Sequence, residues 1–428
     1  MAVAQPKLDL AEALLSRHAA PEAGARWAQD ARAAAAACLR EMGAPVRRDE
    51  YWKYTDPSAL TSDAPKSAAP LEPEKETLYG DRTQLKLVFV DGVLDEAQSD
   101  ALSLEGLTIE PLAQALATDI HWAKDLYGVL EARGQTPVPR PLAALNTAVA
   151  GQGVAIRVSG TVATPVTIVN RQLSDSSDVV LHHVVKVDDG AEMTLLEAGP
   201  AGARYNTCLE VDLGQGATFH HVRTQGRDNE RHAVTHSFAR LAAEASFKAF
   251  TLTVNGLLTR NESVIEFTGD DAQAHVAGAA AGDGTFHHDD TVFVTHDGVN
   301  CESRQVFKKV LRNGALGTFQ GKILVKPGAQ KTDGYQISQA LLLDDDSQFL
   351  AKPELEIYAD DVACSHGSTV GAIDEDAMFY LTSRGVQKAD AQDMMVLAFL
   401  DESIQEIEDE TLADDMRERL AGWLSRRR

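Results

Sequence analysis

Four stretches, DGAEMTLLE (189–197), QGATFHHVR (215–223), AEASFKAFT (243–251) and DDAQAHVAG (270–278), are variants of one another. Aligned on Ala191, Ala217, Ala245 and Ala272, they recur at steps of 26, 28 and 27 residues. Two positions after each anchor stand Met193, Phe219, Phe247 and Ala274; four after it stand Leu195, His221, Ala249 and Val276. The position between is mostly polar: Thr194, His220, Lys248 and His275. Side chains alternate across a strand, so the first two sets share one face and the third takes the other. Each period has room for about two strands. A face pattern that repeats from period to period is what stacked solenoid coils require, because each coil buries its inward residues on the next. The predicted fold is mainly β, a parallel β-helix or β-solenoid.

Short β-branched runs broken by Gly and Asp continue from Gly151 to about Ile373, which sets a β-helix core at 151–373. Residues 374–428 read as a helical domain. Asp374 can cap a helix carrying Met378, Phe379 and Leu381 that stops at Gly385. Asp390 can cap a second with the stripe Met394, Leu397, Leu400, Ile404 and Ile407, and Leu412, Met416, Leu420 and Trp423 form a third stripe. Asp401, Glu402, Glu406, Glu408, Asp409 and Glu410 are expected on the exposed side. Residues 1–150 read as mostly helical. Leu8, Ala11, Leu14, Leu15 and His18 mark one helix, and a segment from Pro21 with Trp27, Ala31, Ala34, Cys38 and Met42 inward marks a second. Residues 112–132 read as helix, LKLVFVDGVL (85–94) as a strand entering a turn, and 56–76 as a linker or mobile loop. Helices at both ends would shield the solenoid's terminal edges from uncontrolled strand pairing.

The 428 residues are enough for two or three domains, and 44% apolar with 24% charged is an ordinary soluble balance. A net charge of −24 argues against nucleic acid or an anionic membrane as partner, since both demand clustered Lys and Arg. The four cysteines, Cys38, Cys208, Cys301 and Cys364, are scattered with no CxxC pair, so they form neither a disulfide framework nor a zinc ribbon. No apolar run approaches the length of a membrane span, and the opening MAVAQPKLDLAEALL lacks the pattern of a signal peptide. A cytoplasmic setting with reduced thiols is expected.

The chemistry concentrates in DVACSHGSTVGAIDEDAMFYLTSRGV (361–386), at the end of the β-rich region. Cys364 and His366 are two apart, so on a strand the thiol and imidazole project side by side. That pair suits iron–sulfur clusters, copper or zinc, but two ligands do not complete a site, and the rest must come from another chain or a guest. A buried cysteine beside a solvated histidine is the plainer reading of the same spacing. HHDD (287–290) and DDD (344–346) look acidic or metal-binding, yet Asp and His at solenoid turns are ordinarily solvated turn residues. Counted back nine from the anchors, His182, Cys208, His236 and Ser263 form a ladder that could hold a metal or be an ordinary polar stack. GALGTFQGKIL (314–324) fails as a phosphate loop, because Leu316 stands where a glycine is needed and Ile323 where Ser or Thr is needed. No catalytic triad can be assembled from spacing.

KTDGYQISQALLLDDDSQFLAKPELEIYADDVACSHG (331–367), with DEDAMFYLTSRG (374–385), closely resembles the SufB/SufD family of iron–sulfur assembly scaffold proteins. The likeness continues upstream through residues 284–325, with weaker echoes in YWKYTD (51–56) and PLAALN (141–146). CSHG, in place of a cysteine followed by an acidic residue, resembles the SufD branch. The resemblance implies a β-helix core and a non-enzymatic scaffold that pairs with a SufB-like subunit through the β-helices. It implies docking of the ATPase SufC on the C-terminal helices, no membrane or nucleic-acid partner, and a possible homodimer in isolation. Cys364 and His366 would then be metal ligands for a transient iron–sulfur cluster or iron at the SufB interface, not stably bound in the isolated chain. The rival class is a polysaccharide-active β-helix enzyme using the DDD cluster.

Overall fold

The computed structural model describes the chain except for residues 1–3, 19–20, 22, 72–78, 80–81, 227–229 and 427–428. The repeat folds as its alternation requires. Each period supplies two strands, one to each of two facing ten-stranded sheets. Four strands precede the repeats: β1 (Leu85–Val90), β2 (Val93–Leu94), β3 (Ser103–Leu104) and β4 (Leu107–Pro111). The coils follow with β5 (Val154–Val158), β6 (Val166–Arg171), β7 (Asp178–Val187), β8 (Glu192–Ala198), β9 (Arg204–Leu213) and β10 (Thr218–Gly226). Next come β11 (His232–Leu241), β12 (Ser246–Val254), β13 (Leu258–Phe267), β14 (Gln273–Asp283) and β15 (His287–His296). The last coils hold β16 (Glu302–Arg312), β17 (Leu316–Val325), β18 (Asp333–Leu342), β19 (Gln348–Ile357) and β20 (Ala363–Gly371). From β5 to β20 odd strands stack in one sheet and even strands in the other, every neighbour parallel. The predicted β-solenoid is the observed fold.

The register read from the repeat is the register of the even sheet. Met193, Phe219, Phe247 and Ala274 stand on one another, as do Leu195, His221, Ala249 and Val276. Most of these line the lumen between the sheets, with Phe307 and Phe319 closing across it at 5.1 Å between ring centres.

Helices cover both outer faces. The N-terminal set is α1 (Gln5–Arg17), α2 (Arg26–Met42), α3 (Ser58–Thr61), α4 (Leu112–Ala117), α5 (Val129–Arg133) and α6 (Pro141–Val149). It lies on the odd sheet, α6 against β7 and β9, burying Val184, Cys208 and Phe238. The C-terminal set is α7 (Glu375–Ser383), α8 (Lys388–Ile404) and α9 (Glu410–Arg426). Here α8 packs on β14 and β16 and α9 on β12, so Val396, Leu400, Ile404 and Trp423 join Phe250, Leu252 and Val306 in one core. A sheet buried on both faces shows apolar residues at both parities, which is why its strands read as near-continuous runs.

Several expectations are corrected. The helices lie along the flanks and leave the edge strands β19 and β20 at the C-terminal end of the solenoid uncovered by any further strand. Residues 112–132 break into α4, a 3-10 turn at Trp122–Asp125 and α5. The fully buried stripe of α2 is Ala28, Arg32, Ala35 and Leu39, one step round from the expected one; Arg32 is accommodated because its guanidinium donates to the carbonyls of Pro21, Ala23 and Ala150. Asp374 caps α7 through the N–H groups of Asp376 and Ala377, as expected, but α8 begins at Lys388 and places Asp390 inside its first turn. Of the 56–76 segment, 72–76 lies outside the described residues; Ala68 is buried and bonded to Asp175 and Gln172 rather than loose. No described helix is long and apolar enough to cross a membrane.

Candidate functional site

The two ends of the solenoid are built differently. At the N-terminal end β2 turns back antiparallel on β1 and β3 on β4, so the outermost strands are only two residues long. At the C-terminal end the outermost strands are the ten-residue β19 and the nine-residue β20. Ala363 N–H bonds to Thr332 O at 2.8 Å, on the β18 side. In a parallel ladder alternate residues turn their backbone groups to opposite neighbours, so those of Cys364, His366 and Ser368 face the open side.

The sequence-predicted pair sits on this terminal strand. Cys364 stacks on Gly334 and His366 on Gln336, both on the lumen face. Gly334 leaves room for the thiol: a Cβ there would stand 3.1 Å from Cys364 Sγ. The half-buried Cys364 packs in the cluster of Ile323, Val325 and Leu355, and burial pushes its thiol pKa up, with Asp333 adding to the effect. That shift favours the neutral thiol, and a bound metal or a nearby cation would favour the thiolate. His366 is exposed, because no further coil covers it. Beside it Ser368 Oγ lies 2.7 Å from Ser338 Oγ. Among the described residues no group of three His, Cys, Asp or Glu side chains is placed to hold a metal ion. The end is rimmed by exposed Ile357, Tyr358 and Val370.

The other candidates resolve into wall structure. HHDD is not a turn: it opens β15, and His288, Asp289 and Asp290 are buried. Asp289 faces outward to Arg260 and Thr55, while Asp290 faces the lumen, 2.6 Å from Lys309 Nζ. Against the cost of burial, His288 and Lys309 hold the Asp290 carboxyl well below its usual range. DDD does lie in a turn, where Asp344 accepts the N–H groups of Asn313, Asp346 and Ser347 while Asp345 and Asp346 are exposed. The ladder is real for His182, Cys208 and His236, but the next rung is Glu262 rather than Ser263. His182 bonds Glu210 at 2.9 Å and Glu262 bonds Arg260 at 2.6 Å, so the ladder belongs to a buried polar network. The stretch 314–324 runs into strand β17.

Two features escaped sequence reasoning. The acidic residues of the C-terminal helices do not simply face solvent: Glu402 pairs with Lys308, Glu406 with Arg304 at 2.9 Å, Glu408 with Lys248 and Asp409 with Arg82 at 3.1 Å. The outward Lys248 and His220 of the repeat are their partners' signal. The second is a clip of residues 50–56 beside the open end. Tyr51 Oη donates to Glu354 of β19, Glu50 pairs with Lys352 at 2.7 Å, and Lys352 Nζ lies 4.0 Å from the Tyr51 ring centre. Of the helical stripe residues, Leu400 and Trp423 face the chain's own core, whereas Met394 and Phe379 are exposed, as is Tyr380 next to Phe379.

Comparison with known proteins agrees with this architecture. The family described as "SUF system FeS cluster assembly, SufBD core domain" matches residues 170–399. The chain is 29% identical over 397 residues to the iron–sulfur cluster assembly protein SufD of Escherichia coli, covering 89% of this chain and 90% of the relative. It is 24% identical over 401 residues to a SufBD family protein of Synechocystis, covering 88% and 86%, and 27% identical over 277 residues to SufD of Bacillus subtilis, covering 62% and 63%. With a family match over more than half its length, laid on the coils that carry β7 to β20, this chain belongs to the SufBD family.

Proposed function

We propose that the chain is a non-enzymatic scaffold subunit of iron–sulfur cluster assembly that supplies half of an interfacial site. Family membership supports the role in assembly. The observation that carries the finer reading is the open end: two full-length parallel edge strands with a thiol and an imidazole on the lumen face of the last rung. A SufB-like partner that adds its own terminal strand there continues the ladder, and its inward side chains stand about 4.8 Å from Cys364 and His366. Ligands from both rungs at that spacing can converge on one guest, so the nascent cluster, as cargo, spans the seam. Pairing also satisfies edge backbone groups that would otherwise invite aggregation. Without the partner, two open ends can join in a homodimer.

The exposed Phe379, Tyr380 and Met394 support the C-terminal helices as the docking surface for the ATPase SufC, since Leu400 and Trp423 are already occupied. The chain itself binds no ATP on this reading; sulfide arrives from a cysteine desulfurase system, and the setting is cytoplasmic. Isolation of the native complex by a tag on this chain tests the proposal. Co-isolation of a SufB-like subunit and an ABC-type ATPase with iron and acid-labile sulfide is expected, and recovery of the chain alone under gentle conditions would contradict it. Phe379→Asp is expected to remove the ATPase from that complex while changing the chain's own stability by less than about 0.5 kcal/mol, as checked by chemical denaturation.

A further inference from the structure

One column of lumen-facing side chains leads straight to His366. In register it reads Val276, Gln305, Gln336 and His366. Gln305 and Gln336 are both 0% exposed, and among the described buried residues they are the two carboxamides with neither amide atom hydrogen-bonded. The Gln336 amide reaches across the lumen to β17, where Gly321 makes the space for it: a Cβ on Gly321 would stand 2.6 Å from Gln336 Nε2. Pro353 stacks on Gly321 in the next rung, opposite the rung of His366. Burying an amide with neither atom bonded is destabilising, and a methionine of the same reach would avoid that. The neighbouring columns lack this feature. Gly334 under Cys364 has no side chain, and Ser338 under Ser368 is hydrogen-bonded to it.

We infer that Gln336 is a positioning residue for His366. Adjacent rungs are about 4.8 Å apart, the spacing at which side-chain amides stack into hydrogen-bonded ladders. Neither Gln336 amide atom is committed elsewhere, so the group can turn its oxygen toward the ring above and accept the inner ring N–H. That bond selects one tautomer and presents the other ring nitrogen, with its lone pair, to the open side. A histidine that ligates metal characteristically has its second nitrogen held in this way. The inference rests on the proposed role of His366 as an interfacial ligand, and it assigns the residue that aims it. Gln305, one rung deeper, is the matched control, equally buried and equally unbonded but out of reach of His366.

The test compares Gln336→Met, Gln305→Met, Gln336→Glu and His366→Ala in the full chain. In the isolated protein, 15N spectra of the histidine side chains, with the His366 signal assigned by its loss in His366→Ala, report the tautomer. Gln336→Met is expected to move the His366 nitrogen shifts toward a mixed population. Gln305→Met is expected to leave them unchanged, and Gln336→Glu, which keeps an acceptor oxygen, to preserve the single tautomer. Both methionine variants, which put an apolar side chain of the same reach in place of a buried amide, are expected to keep a cooperative melt within a few degrees of wild type, so loss of fold is no explanation. In the reconstituted complex, Gln336→Met is expected to shorten cluster lifetime about tenfold, the scale of outer ligand-orienting contacts. Identical 15N shifts in Gln336→Met and wild type overturn the inference, as does an unchanged cluster lifetime where His366→Ala abolishes the cluster. Full cluster yield in His366→Ala overturns instead the interfacial role of His366, and the 15N comparison then still decides the Gln336–His366 contact.

Discussion

The solenoid's two ends solve the edge-strand problem in opposite ways. The N-terminal end closes itself: β2 and β3 fold back antiparallel and leave outermost strands two residues long. The C-terminal end stops after a complete coil and leaves β19 and β20, ten and nine residues long, with their outward backbone groups unpaired by strand. A stacked fold must terminate somewhere, and blunting one edge while presenting the other is how it becomes directional. The thiol–imidazole pair stands at the presented edge, which is why we propose that edge as a site as well as an interface.

Damage to the wall between the ends must reach both of them, whereas damage at an edge must not. The largest effect is therefore expected from Asp290→Ala, which leaves Lys309 buried without its carboxylate, destabilising the fold by about 3–5 kcal/mol in chemical denaturation. A loss under about 1 kcal/mol would mean that the lumen tolerates unpaired charge and that the ends are not rigidly linked. A matched pair on one sheet separates the ends directly. Val93 on β2 and Val370 on β20 are 57% and 55% exposed, at opposite edges of the even sheet. Val370→Glu is expected to weaken pairing with a SufB-like partner by roughly 100-fold, because it buries an unpaired charge in the seam, while Val93→Glu changes it by less than about twofold. Calorimetric titration that found the two equivalent would break the comparison.

A smaller effect separates the coils from the open edge by pH. His183, on β7 near the closed end, is fully buried, and desolvation lowers its pKa from 6.5 to about 4. Between those values the unfolded chain binds a proton that the folded chain does not, so stability is full above 6.5 and falls as the pH drops toward 4. Thermal melts at pH 7 and pH 5 are expected to show a drop of several degrees that shrinks in His183→Gln and persists in His366→Ala. Equal drops in wild type and His183→Gln would remove His183 from the account.

The coils were legible because their inward residues answer to one another from period to period. Met193, Phe219 and Phe247 need the same environment, and the alternation around them fixes the register of the even sheet. The odd sheet slipped by one residue at Glu262, because the loop from β13 to β14 is one residue longer than its counterparts, and a fixed offset cannot see loop length. HHDD misled because a buried ion pair and a solvated turn are written in the same letters; only Lys309 and Arg260, brought in from other strands, distinguish them. The fate of the helices was hidden for a related reason. Their apolar stripes require something to cover, and the flank of the even sheet, carrying Val222, Phe250 and Leu252, meets that need as well as an end would. At the site, the spacing of Cys364 and His366 sufficed to place both on one strand face. Extending the repeat past Val276 would have aligned Gln305, Gln336 and His366, but their lack of hydrogen-bond partners is a property of the folded lumen alone.

The most direct test of the presented edge as half of a cluster site is the iron and acid-labile sulfide content of the reconstituted complex carrying Cys364→Ser and His366→Ala together. Both side chains sit on the outermost strand, so the double variant is expected to fold and to retain its partners, with iron and sulfide falling to less than about a tenth of wild type. Wild-type iron and sulfide in that complex would contradict the account, leaving the open end as an interface without a site.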